Sequence, residues 1–105
     1  MPGTMAAAGI VAGAAILTAG LVTAGAASVA GQRLASAADA AALAAADSAS
    51  GAVAGLPCDR AAQLAGTFGA IVEVCELDEL TATITVAARL GPLLARASAR
   101  AGPPG

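Results

Sequence analysis

The side chains with the clearest capacity for chemistry are two thiols, Cys58 and Cys75. Oxidised, they form a bridge; reduced, they are nucleophiles or soft metal ligands. A zinc ion needs four ligands, and two cysteines in a chain without histidine cannot fill them. Glu73, Glu76, Asp78 and Glu79 form the one acidic cluster, whose oxygens are of the type that holds a hard cation. A short run of this kind is more often a solvated turn. Arg89, Arg96 and Arg100 follow; they suit lipid head groups or a partner's carboxylates, although three arginines without a wider basic field read as ordinary surface. No serine has a histidine to activate it, and no lysine is present to form a Schiff base. The expectation is a protein that is not an enzyme, with no cofactor, no metal and no small-molecule substrate.

Composition narrows the class further. The 105 residues allow one small domain at most. About a third are alanine, 58% are hydrophobic and 11% are charged, whereas about a quarter are charged in an ordinary soluble domain. A net charge of -2 and the lack of Trp and Tyr, with Phe68 as the one aromatic, argue against nucleic acid as a partner.

The first charged side chain is Arg33, and the apolar part of the stretch before it runs from Met5 to Val29. A hydrocarbon core of about 30 Å needs about 20 such residues, so the stretch is long enough to cross. Residues 1–31 are therefore expected to be a transmembrane anchor. The alternative is a secretory signal, for which Ala24-Gly25-Ala26 and Ser28-Val29-Ala30 both offer small-x-small cleavage sites. Against it, the apolar run exceeds the usual 7 to about 15 residues and no basic residue precedes it. Gly9 and Gly13 form a GxxxG, extended by Ala15 and Ala19 into a smooth strip where a partner helix could approach. In a chain this rich in Ala and Gly, the same spacing also arises from composition alone.

Residues 32–50 are nearly all alanine, the best helix former, so the membrane helix is expected to continue through them. Gln32, Arg33, Ser36, Asp39, Asp47 and Ser50 fall on one side of that helix at about 100° per residue, with Leu43 among them. Leu34, Ala37, Ala38, Ala41, Ala44 and Ala45 make a shallow opposite face that can pack closely. Gly51, Gly55 and Pro57 end it. Residues 51–101 are expected to be a small head. A short helix runs over Asp59–Phe68, with Gly69 past its end. A strand over Ile71–Cys75 and a second over Leu80–Ala88 form a hairpin.

The second strand alternates cleanly, with Thr81, Thr83 and Thr85 on one face and Ala82, Ile84, Val86 and Ala88 on the other. In the first, Glu73 shares a face with Ile71 and Cys75, so either a bulge near Glu73 or a partner on the second face is required. Gly91-Pro92 breaks the pattern, Leu93–Arg100 is expected to make one or two helical turns, and residues 102–105 a frayed tail. The fold class is thus α+β: a long apolar helix continuing as an Ala-rich helix, then a short helix and an antiparallel β-hairpin.

A helix of about 11 residues advances about 16 Å, and a strand of about 5 residues returns a similar distance, which brings Cys58 and Cys75 together. A bridge between them would staple a head with little core, and it places the C-terminal part outside the cytoplasm. Two free thiols in a reducing compartment are the alternative. Arg33 opposes the bridge reading, since a basic residue after the span favours a cytoplasmic head; one arginine weighs less than the cysteines.

With these segments placed, the chain resembles the small TadE-like proteins of tight-adherence (Flp) pilus loci, in particular the subfamily named for a helicase and secretion gene neighbourhood. The likeness is best over Gln32–Ala44, where Arg33 precedes an Ala-rich run carrying Ala38, Asp39 and Leu43. Cys58, Gly69-Ala70 and Cys75 match the family's paired cysteines and the small residues between them, and Ala99–Pro103 its closing motif. No Arg-Gly segment precedes the apolar run and no Glu lies within it, so the processing signature of Flp prepilins is missing. The resemblance implies a single-pass cell-membrane protein with an extracytoplasmic C-terminal part. It would be a structural or assembly component, meeting other pilus or secretion subunits through its N-terminal helix. A small secreted protein released by signal-peptide cleavage is the other reading.

Overall fold

A computed structural model describes residues 2–104. Met1, at the start of the expected anchor, and Gly105, at the end of the expected tail, lie outside the described residues. The architecture is α+β, with the elements α1 (Pro2–Ala49), α2 (Pro57–Thr67), β1 (Ile71–Asp78), β2 (Thr81–Leu90) and β3 (Leu93–Ala101). Two compact units divide the chain at Ala30/Gly31.

Of the first unit, residues 2–30 belong to α1. The helix is built from helix-favouring alanine with Gly and β-branched residues interspersed. Thr18 and Thr23 donate their hydroxyls to the carbonyls four residues back, Ala14 and Ala19, so the polar groups are satisfied inside the helix itself.

The second unit, Gly31–Gly105, holds the core. Leu34, Ala37, Ala38, Ala41, Ala42 and Ala45 on the last part of α1 are buried in one cluster with Ala61 and Ala65 of α2 and Ala82, Ile84 and Val86 of β2. The expected shallow face of α1 is therefore the packed one, with Ala42 within it and Ala44 half-buried at its margin. What it meets is the sheet as well as a helix. Both helices end on a left-handed glycine. Ala52 N–H donates to Asp47 O and Gly51 N–H to Ser48 O around Gly51 (φ 83°); Ala70 donates to Ala65 O and Gly69 to Gly66 O around Gly69 (φ 73°). These are Schellman closures, in which the last carbonyls find partners that the helix cannot supply.

The sheet has the order β1-β2-β3, antiparallel throughout. Leu93–Arg100, expected as helical turns, is instead the third strand. Its Ala, Leu and Arg are good helix formers, but the segment also alternates. Ala95, Ala97, Ala99 and Ala101 pack against the core while Arg96, Ser98 and Arg100 stay exposed. Pairing along β2 from Leu90↔Leu93 to Ala82↔Ala101 decides between the two periods. The register of β1 shifts between Val72 and Val74, so of the two alternatives, a bulge near Glu73 or a partner on the second face, the strand takes the bulge. The extra residue puts Val72 and Cys75 opposite Val86 and Ile84, both on the core side.

Successive elements reverse direction. The start of α2 lies beside the end of α1, since Ser48 Oγ donates to Gly55 O and Arg60 Nε to Ala54 O at 2.8 Å. Farther along, Leu64 of α2 and Ala40 of α1 line one depression. The β1–β2 turn and the residues after β3 come back to the end of α1, where Leu80, Gly102 and Pro103 share a depression with Ala46, Asp47 and Ser50. The α2–β1 junction and the β2–β3 turn thus lie at the opposite end of the unit, where α1 enters it.

Candidate functional site

Two features of this fold go beyond packing: the bridge that joins α2 to the sheet, and the uncovered apolar surface of α1. Cys58 sits in the first turn of α2, whose start is marked by Pro57 and whose first turn carries Asp59, favoured there by the helix dipole. Cys75 faces the core from β1, opposite Ile84. The two form a disulfide with Cα atoms 6.0 Å apart and a sequence separation of 17. That distance lies inside the span a disulfide needs. No cysteine is free among the described residues. The bridge fastens α2 across a layer made almost wholly of alanine.

On the face of the sheet away from the core, Arg96 Nε donates to Glu73 Oε2 at 2.6 Å. The link runs from β3 to β1 over the middle strand, where Ala87, the partner of Arg96 in the ladder, is only 1% exposed. Its hydrogen bond to Glu73, and then the charge of that carboxylate, hold the Arg96 guanidinium above its ordinary value. Sequence reasoning missed this pair because it placed Arg96 in a helical turn. The alternation of β3 was the signal that would have found it.

The remaining carboxylates of the acidic cluster do not converge. Glu76 and Asp78 extend along exposed β1 and Glu79 occupies the turn to β2. No group of three acidic, cysteine or histidine side chains able to hold a metal ion occurs among the described residues.

In α1 the large aliphatic side chains from Met5 to Val29 are between 65% and 78% exposed, and no part of this stretch is buried. The helix is long and apolar enough to cross a membrane. Gly9 and Gly13 lie open, with nothing within 4 Å of where a side chain would begin, and Ala15 and Ala19 are exposed beside them. Among the residues that carried the family resemblance, Ala38 is fully buried in the core, whereas Arg33, Asp39 and Leu43 are exposed on α1. The resemblance motif therefore combines one packing position with three surface positions.

No protein-family model, no curated protein and no solved structure matches the chain.

Proposed function

We propose that this chain is a membrane-anchored, non-enzymatic structural or assembly component of a Tad/Flp-type pilus or secretion apparatus, with its C-terminal part outside the cytoplasm. The observation that carries the membrane reading is the bare aliphatic surface of α1 from Met5 to Val29, which water would leave unstable and a bilayer would cover. The Cys58–Cys75 bridge supports the extracytoplasmic side, since such bonds persist in oxidising compartments. The pilus or secretion context rests on the resemblance of Gln32–Ala44, the paired cysteines and Ala99–Pro103 to TadE-like proteins. The strip of Gly9, Gly13, Ala15 and Ala19 is the surface for other subunits, because backbones pack closely in lipid where side chains are small.

A second reading, a secreted protein, is favoured by one observation. Cleavage after Ser28-Val29-Ala30 would fall on the boundary between the two units and release Gly31–Gly105 whole.

Carbonate extraction of native membranes, followed by mass spectrometry of the mature N-terminus, separates these. The anchor predicts an intact chain in the pellet; loss of roughly the first 25 to 30 residues gives the secreted form. Crosslinking from Gly9→Cys in the native envelope should then capture pilus or secretion subunits. Capture of none would remove the assembly role while leaving the anchor.

A further inference from the structure

The end of the Gly31–Gly105 unit at which α1 enters is built unlike the opposite end. The α2–β1 junction and the β2–β3 turn meet there. They expose Phe68 (37%), Ile71 (63%), Leu93 (70%) and Leu94 (44%), while Arg33 and Arg89 are exposed on α1 and at the end of β2. Glu73, the carboxylate nearest this end on β1, is taken up by Arg96. The far end also exposes Leu77 and Leu80, and there Glu76, Asp78, Glu79, Asp47 and Asp59 outnumber Arg60 and Arg100. Apolar side chains with an excess of arginine mark one end, and apolar side chains with an excess of carboxylates mark the other.

We infer that the junction and turn formed by Phe68, Ile71, Leu93 and Leu94, with Arg33 and Arg89, are a second lipid contact. This surface rests on the headgroup layer of an anionic bilayer beside the point where the span leaves it. The inference depends on the membrane reading of α1 above. Residues 31–34 follow directly on the apolar run, so this end of the unit emerges first from the hydrocarbon. Leucine and phenylalanine side chains enter the headgroup and acyl boundary readily, and arginine pairs with lipid phosphate while its stem stays apolar. Each basic residue close to an anionic surface is attracted, and each carboxylate is repelled. Charge therefore selects which of the two ends faces lipid. The turn suits the role mechanically: Gly91 takes a left-handed φ of 62°, which lets the chain reverse at once and carry Leu93 on its outside.

The chain has no tryptophan or tyrosine, so one introduced tryptophan reports alone. Leu93→Trp, Leu80→Trp and Leu17→Trp in the full chain, reconstituted into nanodiscs of phosphatidylcholine with or without phosphatidylglycerol, are to be quenched by brominated acyl chains and by aqueous acrylamide. All three replace exposed side chains, so the fold is kept. The expected result is deep lipid quenching at position 17. Position 93 should show shallow lipid quenching that strengthens with phosphatidylglycerol, and position 80 quenching by acrylamide alone. Lipid quenching at 17 with acrylamide quenching at 93 overturns the second contact and leaves the span. Shielding at 93 from both quenchers places a second protein copy there and likewise overturns it, as does lipid quenching at 93 indifferent to phosphatidylglycerol. Absence of lipid quenching at 17 removes the membrane reading, and this inference with it.

Discussion

Arg96 reaches across the middle strand of the sheet to Glu73, Nε to Oε2 at 2.6 Å, and ties β3 to β1, two strands that share no ladder of their own. Both side chains are partly exposed, so solvent screens the pair and its net contribution is small. Arg96→Gln should lower the thermal midpoint slightly, and the reversed pair Glu73→Arg with Arg96→Glu should recover most of the loss. Because the guanidinium is held above its ordinary value, what it contributes is fully present across the neutral and mildly alkaline range and disappears only as pH climbs past that raised value. The difference in midpoint between the parent and Arg96→Gln should therefore stay flat from about pH 7 to pH 10. A steep change within that window would show that another group governs the pair.

Reduction of the Cys58–Cys75 bridge should have a larger effect. Closing a loop of 17 residues contributes about 3 kcal/mol in the chain-entropy model. Denaturant unfolding of the full chain in detergent, with and without reductant, should move by that amount, and Cys58→Ser should match the reduced parent. Maleimide should label neither cysteine before reduction. Labelling of both without reductant would mean the bridge does not form.

The alanine layer between helices and sheet leaves no room for growth. Ala38 and Ala41 have no exposed surface, and Ile84 and Val86 are the largest side chains fully buried with them. Ala41→Leu should destabilise by about 1 to 3 kcal/mol through overpacking. Ile84→Ala should cost about 2 to 5 kcal/mol by removing the main side chain that fills the layer. Chemical denaturation read by circular dichroism checks both; a tolerated Ala41→Leu would mean that the helix and sheet are not in close contact.

Glu79 occupies a left-handed conformation (φ 57°) in the two-residue turn between Asp78 and Thr81. A side chain there costs about 1 to 2 kcal/mol, and glycine costs none of it. Glu79→Gly should raise the thermal midpoint despite the greater freedom of glycine in the unfolded chain. An unchanged or lowered midpoint would show that the carboxylate holds this turn in some other way.

How much of this was legible beforehand varied with the kind of signal. A short helix, expected over Asp59–Phe68 and found over Pro57–Thr67, and the antiparallel pairing of β1 with β2 were visible because apolar spacing and turn residues pointed one way, whereas the position of Glu73 left a bulge and a covering partner equally open until the register of β1 decided for the bulge. The meeting of Cys58 and Cys75 followed from element lengths alone. β3 was lost because Leu93–Ala101 satisfies two periods at once: alanine and arginine favour a helix by propensity, while alternation favours a strand, and only the free edge of β2 decides. With β3 went Arg96, and with Arg96 the single ion pair of the sheet. The open surface from Met5 to Val29 was readable from the absence of charge.

Counting α1, the Gly31–Gly105 unit is traversed five times, and an odd number of traverses delivers the polypeptide to the side opposite its entry. Ala101 pairs with Ala82, and Gly102 and Pro103 lie beside Asp47, at the end of the unit opposite Gly31. Any tag appended beyond Pro104 would accordingly stand beside the α1–α2 turn, a unit's length away from Gly31.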